Sequence, residues 1–203
     1  MFISQRVDLL PERNERRDSI DQRWGGTLHE LLGGHALILQ VPNRPLEVSE
    51  MLTVCPPSLI VLSGGNDIGS VPDRDATETT LLDFAKSTRV PVLAVCRGMQ
   101  IVQRYLGGAI VPINDHVGCE HEVHPVSGHA AFDLTVNSYH TSGIPQSGLA
   151  SDLQPLYLHE DGSIEAAMHS HLPWLCVMWH PEREGSGMSR ANSWLSEWLK
   201  AAV

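Results

Sequence analysis

Apolar runs and helix-periodic segments alternate through the first half of this chain, and that alternation restricts its fold more than any other feature. FISQRV (2–7), ALILQVP (36–42), SLIVLSGG (58–65) and VPVLAVC (90–96) read as short strands. SIDQRWGGTLHELLGG (19–34), LEVSEMLTV (46–54), DATETTLLDFAKS (75–87) and RGMQIVQRYLGG (97–108) carry helical spacing, the first of them stopped by a Gly-Gly pair. Strand–helix–strand order joins parallel strands by right-handed crossovers and puts helices on both faces of the sheet. The SLIVL run is apolar without alternation, as a strand covered on both faces should be. From about Gly118 the segments shorten to EHEVHPV, FDLTVNSYH, LQPLYLHE, SIEAAMHS and WLCVMWH, which predicts an antiparallel extension. SRANSWLSEWLKAA (189–202) closes the chain as a helix. The expected architecture is α/β, a three-layer sandwich with a mostly parallel central sheet. No repeat or linker divides the chain, so one domain over 1–203 is expected.

Composition removes several classes of function. A formal net charge of −10 speaks against nucleic acid or an anionic membrane as the main partner. No apolar run approaches the roughly 18 residues of a membrane span, and MFISQRVDLL lacks the layout of a signal peptide. Cys55, Cys96, Cys119 and Cys176 form no C-x-x-C pair, so reduced thiols and a cytoplasmic setting are expected. Residues 1–23 hold five arginines and five acids. They read either as a solvated helix face with paired charges or as an arginine-bearing rim for an anionic group.

The join between the fourth strand and its helix carries the chemistry. In AVCRG, Ala94 and Gly98 flank Cys96 at −2 and +2. A nucleophile on a sharp strand-to-helix turn needs small residues there, because the tight backbone leaves no room for larger ones. The helix that follows offers free N–H groups and a dipole end that favour thiolate, and the backbone N–H of Arg97 lies where an oxyanion could form. An inert core cysteine fits this stretch about equally well, so a base is needed. In LCVMWHPERE a strand ends in His180-Pro181-Glu182, a spacing that lets Glu182 fold back onto the imidazole.

VCRGMQ and WHPE together resemble the nucleophile elbow and His/Glu pair of class I glutamine amidotransferases, and more narrowly the γ-glutamyl hydrolase branch of that superfamily. FISQRVDLLPERNERRDSIDQRW, VLSGGNDI and VNSYHTSGI agree with that pattern and fall in the same order, so the resemblance spans nearly the whole chain. It implies a flavodoxin-like, class I glutamine amidotransferase-like fold. It also implies that Cys96 is the nucleophile, His180 its base and acid, and Glu182 the residue that orients His180. Gly65 and Arg97 would supply the oxyanion-hole N–H groups. Gln100 with Asn137, Ser138, Tyr139 and His140 would hold the two polar ends of a glutamyl group. No cofactor is implied.

The implied reaction is hydrolysis of a γ-glutamyl amide through a glutamyl thioester, releasing glutamate. SGGNDI and the short length resemble hydrolases that cleave γ-glutamyl-CDP-amidate to cytidine diphosphoramidate for surface-polysaccharide modification. A diphosphate would give Arg6, Arg16 and Arg17 a purpose. A γ-glutamyl-polyamine or folate-type adduct stays open, as does a glutaminase subunit passing ammonia to a separate synthetase. A homodimer is equally open. An inactive scaffold is disfavoured, since nucleophile, base and orienting acid are all present. His116, Cys119, His121 and His124 lie close in HVGCEHEVH, but on a strand 119, 121 and 123 share one face while 116 and 124 point elsewhere. The spacing matches no zinc template, and no metal is expected.

Overall fold

The computed structural model describes residues 1–34, 36–126 and 132–203. Along the chain run β1 (Phe2–Ile3), β2 (Arg6–Leu10), β3 (Glu15–Ser19), α1 (Arg23–Leu32), β4 (Leu39–Gln40) and α2 (Pro45–Val54). There follow β5 (Ile60–Leu62), α3 (Pro72–Thr88), β6 (Val92–Val95), α4 (Arg97–Tyr105), β7 (Val111–Pro112) and β8 (Val117–Pro125). The remainder is β9 (Leu134–Tyr139), β10 (Ser142–Gly143), β11 (Leu153–Leu158), β12 (Ile164–His169), β13 (Trp174–Val177) and α5 (Met188–Ala202).

The central sheet has the order β4-β1-β5-β6-β13-β12-β11-β8-β9. The run from β4 to β13 is parallel, and every pairing from β13 outward to β9 is antiparallel. The expected antiparallel extension is therefore a wing on one side of a parallel half. Two apolar clusters sandwich the sheet. Val48, Leu52, Leu81, Leu82 and Val102 of α2, α3 and α4 cover one face. Trp24, Leu28, Ala191, Leu195 and Leu199 of α1 and α5 cover the other. Each element buries one apolar stripe against the sheet, which is why three layers form. Among the described residues, no helix is long and apolar enough to cross a membrane.

The N-terminal segment corrects one expectation. The first strand ends at Ile3, and residues 6–19 form a separate antiparallel hairpin, β2–β3, where a charged helix face was one of the readings. A short 3₁₀ turn at Pro11–Arg13 and Asn14 in the left-handed region (φ 49°) reverse the chain. Proline and asparagine are the residues such a turn accepts. Helix α3 begins at Pro72, three residues before the expected start, with proline in its first turn, where a missing N–H costs nothing.

Parallel register brings three strand ends together. Leu62 pairs with Ala94, and Val95 pairs with Val177. The loops leaving β5, β6 and β13 thus emerge side by side at the carboxyl edge, where open α/β sheets place their ligands.

Candidate active site

Cys96 occupies the step from β6 into α4 with φ 51° and ψ −106°, a strained conformation for a residue with a side chain. Its N–H donates to the Val177 carbonyl at 2.7 Å, tying the turn to β13. The demand for a small +2 residue is literal, since a β-carbon on Gly98 would stand 2.2 Å from the Leu62 carbonyl oxygen. Gly64 is constrained in the same way from the other side, because a β-carbon there would lie 2.6 Å from His180 Cε1.

His180 Nδ1 and Glu182 Oε1 are 2.7 Å apart, and both side chains are buried. Burial opposes the charged form of the His180 ring. Side-chain hydrogen bonding to Cys96 and to Glu182 outweighs it and pushes the pKa up to about 9. A charged imidazole beside a cysteine sulfur is the arrangement that favours thiolate, so this trio can deliver a nucleophile and then a proton.

Two clefts meet at Gly65. The smaller, about 100 Å³, is lined by Cys96, Arg97, Gln100, Asp67 and Tyr139. The larger, about 270 Å³, is lined by His180, Glu182, Arg6, Arg183 and Asp8. Tyr139 stands edge-on to the His180 ring at 5.8 Å, with the Arg183 guanidinium 4.4 Å over its face. Gln100 Nε2 donates to the Ser142 carbonyl at 3.0 Å.

The structure gathers Cys96, His180, Glu182, Gly65, Arg97, Gln100, Tyr139, His140 and Arg6 around these clefts, while Asn137, Ser138, Arg16 and Arg17 line neither. Asn137 is buried and holds the base: Nδ2 donates to the carbonyls of His180 (2.9 Å) and Arg183 (3.2 Å), and Oδ1 accepts the His180 N–H (2.8 Å). Ser138 is fully buried, its hydroxyl donating to the His116 carbonyl at 2.7 Å. His140 borders the smaller cleft, but its ring nitrogens face the Ser142 carbonyl and Glu165. Arg16 and Arg17 sit on the exposed hairpin, engaged with Asp73 and Glu15. Of the four residues in HVGCEHEVH, Cys119 donates to the Asp115 carbonyl and His124 pairs with Asp133 at the surface, so that set does not assemble.

Sequence reasoning missed the support beneath the Ser-Gly-Gly loop. Arg74 is wholly buried and donates to the carbonyls of Ser63 (2.7 Å), Gly64 (3.0 Å) and Gly65 (2.8 Å), and to Glu78 (3.0 Å). Glu78 also accepts from Ser4 and from the Arg97 guanidinium, which reaches Asp75 as well. Glu78 lies inside the expected helix and Arg74 just before its expected start, four positions apart. That spacing was the one available signal. Asn66 adds a clamp from the loop to the hairpin, exchanging hydrogen bonds with Val7 N–H (2.7 Å) and C=O (3.0 Å).

Comparison with known proteins bears on the family and the fold. The peptidase C26 family model matches residues 57–182. The γ-glutamyl-CDP-amidate hydrolase of Campylobacter jejuni subsp. jejuni serotype O:2 is 32% identical over 97% of this chain and 96% of that protein. Anthranilate synthase component 2 of Azospirillum brasilense is 30% identical over 69% of this chain and 72% of its own. A glutamine amidotransferase from Thermotoga maritima superposes with a TM-score of 0.66 at 15% identity, covering 99% of this chain and 95% of that one. Matched over its elbow, its base and the sheet between them, the chain belongs to the peptidase C26 family, on the class I glutamine amidotransferase fold.

Proposed function

We propose that this chain is a cysteine-dependent hydrolase of a γ-glutamyl amide, and that its substrate is γ-glutamyl-CDP-amidate. The observation that carries the first part is the strained Cys96 turn set against a buried His180–Glu182 pair whose ring is charged. Cys96 sulfur attacks the γ-carbonyl, and the N–H groups of Gly65 and Arg97 receive the developing negative charge. Arg97 opens α4, so its N–H has no partner within the helix. Arg74 holds the loop through its carbonyls and so fixes the Gly65 backbone for this role. His180 protonates the leaving nitrogen and then takes a proton from the water that cleaves the thioester. Glu182 keeps the ring oriented throughout.

Support for the finer reading is the relative of that name, similar from end to end, and the larger cleft beside His180. The glutamyl group fits the Cys96 side and the leaving group the His180 side, where Arg6 and Arg183 offer guanidinium groups to phosphate oxygens. Arg6 also pairs with Asp8 at 2.8 Å, so an incoming diphosphate must compete with that carboxylate. A glutaminase subunit is the second reading, favoured by the likeness to anthranilate synthase component 2. Glutamate release by the purified chain alone decides between them, comparing L-glutamine with γ-glutamyl-CDP-amidate and with polyamine and folate adducts. A preference for the CDP adduct on the order of 10³-fold in kcat/KM is expected. Slow turnover of glutamine alone would leave the glutaminase reading standing, and activity surviving Cys96→Ala would remove both.

A further inference from the structure

One buried cluster has no part in that chemistry. His116 lies just before β8, His121 on β8, His140 just after β9, His159 just after β11 and Glu165 on β12. Their rings pack against one another, with centroids 4.8 Å apart for His116–His121, 4.9 Å for His116–His140 and 4.3 Å for His121–His159. The side chains of His116, His140 and Glu165 are 2%, 1% and 1% exposed. Among the described residues, both Glu165 oxygens, His116 Nδ1 and His140 Nε2 have no hydrogen-bond partner.

The outer nitrogens settle which lone pairs face inward. His140 Nδ1 lies 3.2 Å from the Ser142 carbonyl oxygen, which can only accept, so Nδ1 carries the hydrogen. His116 Nε2 lies 3.0 Å from Asp161 Oδ2. Asp161 Oδ1 already accepts from the Ser163 N–H (2.8 Å) and hydroxyl (2.7 Å), as a carboxylate does, so Nε2 of His116 donates. With one hydrogen per ring, the nitrogens left bare are His116 Nδ1 and His140 Nε2, facing Glu165 Oε1 at 3.7 and 3.5 Å. Three lone pairs pointing at one another in a dry interior repel unless a proton or a metal cation lies between them.

The three donor atoms lie within 4.8 Å of one another, close enough for small side-chain adjustments to bring them onto one ion. Donors bound to tetrahedral zinc at its usual bond lengths stand about 3.3–3.5 Å apart, beyond the usual hydrogen-bond distance. His116, held from outside by Asp161, has the carboxylate–imidazole support that ligating histidines show. We propose that His116 Nδ1, His140 Nε2 and Glu165 Oε1 bind a divalent transition-metal ion, zinc by the character of its donors. The fourth position falls to water or to His121, whose Nε2 is 3.4 Å from the other Glu165 oxygen. Because a bulge between Val117 and Cys119 breaks the strand register, His116 joins the His121 side despite the odd spacing. Such an ion would fasten β12 to the 139–142 segment, which carries Tyr139 beside Cys96 and the carbonyl that Gln100 engages. The role is structural, one step removed from the reacting atoms.

The test uses the full chain, purified without a histidine tag or metal resin, stripped with chelator and titrated with Co²⁺ and Zn²⁺. We expect about one equivalent bound per chain, with visible absorption bands of tetrahedral Co²⁺ and a higher melting temperature on adding Zn²⁺. Cys96→Ala and His124→Ala should bind as well as the parent, whereas Glu165→Gln and His140→Ala should bind less than about a tenth as much. Three results would each overturn the proposal. They are no stoichiometric binding by the stripped parent, binding that survives both Glu165→Gln and His140→Ala, or binding lost with Cys96→Ala, which would put the ion at the nucleophile. If the Glu165 and His140 variants do not fold, the parent's stoichiometry, its melting shift and the Cys96→Ala titration decide.

Discussion

Asn137→Ala separates a substrate contact from a brace for the base. The substitution removes two hydrogen bonds donated by Asn137 to the carbonyls of His180 and Arg183, and the one it accepts from the His180 N–H. At a net value of about 1 kcal/mol each, the loss is about 3 kcal/mol at most, the two bonds to His180 being buried and the one to Arg183 half-buried. Denaturant unfolding should report that figure as a shift in midpoint at constant slope. The kinetic consequence is larger in one parameter than in the other. His180 loses the anchor of its own backbone, and a misplacement of about 1 Å in a catalytic group costs on the order of 10² in kcat. Asn137 lines neither cleft, so KM should move less than about twofold. Steady-state glutamate release with the best γ-glutamyl substrate measures both. A KM raised many-fold with kcat intact would refute this reasoning and restore Asn137 as a substrate contact.

The pKa of about 9 at His180 sets an alkaline limit, with kcat/KM falling as the ring loses its proton above that value. Glu182→Gln should move that limb to lower pH, and an unmoved limb would show that Glu182 does not hold the ring's charge. Because the folded value lies above the ordinary 6.5, the linked stability is fully present below about pH 6.5. It is lost as pH rises through about 9, which a series of unfolding titrations will trace. Cys96→Gly should be inactive yet more stable than the parent by about 1 kcal/mol, because glycine accepts φ 51° without strain. A less stable variant would mean that the turn is relaxed as it stands.

The parts of this site that were legible in the sequence are those where local sterics and chemistry coincide. Ala94, Cys96 and Gly98 announce an elbow, and at Gly98 a residue without a β-carbon is required to clear the Leu62 carbonyl. His180 and Glu182 are near neighbours in the chain, so their contact is local too. Asn137 has a second role that the sequence does not show, because a polar residue in VNSYH looks as suited to a ligand as to a backbone, and only the approach of the β13 loop reveals the brace. The hairpin was obscure for a related reason. RVDLL and ERRDS alternate charge and bulk without an apolar face, since the hairpin stands on the loop above the sheet and only Val7 is buried. Arg74 and Glu78 resemble any solvated helical pair, and nothing in their neighbours reports that three glycine-loop carbonyls lie overhead. The histidine cluster is half in view. His116 and His121 stand out in HVGCEHEVH, but strand periodicity sets them apart where a bulge brings them together, and His140, His159 and Glu165 lie on or beside other strands.

The strand order also dictates how the chain must be made. Strand β6 is finished at Val95, but the neighbour it needs on one side, β13, begins only at Trp174. While the ribosome adds the residues between, VLAV presents an open, wholly apolar edge of the kind that recruits other strands. A product broken off within that interval already carries Cys96 and still lacks His180. Such a fragment is sticky before it can be catalytic, and its fate is chaperone, protease or aggregate, never a weakened enzyme.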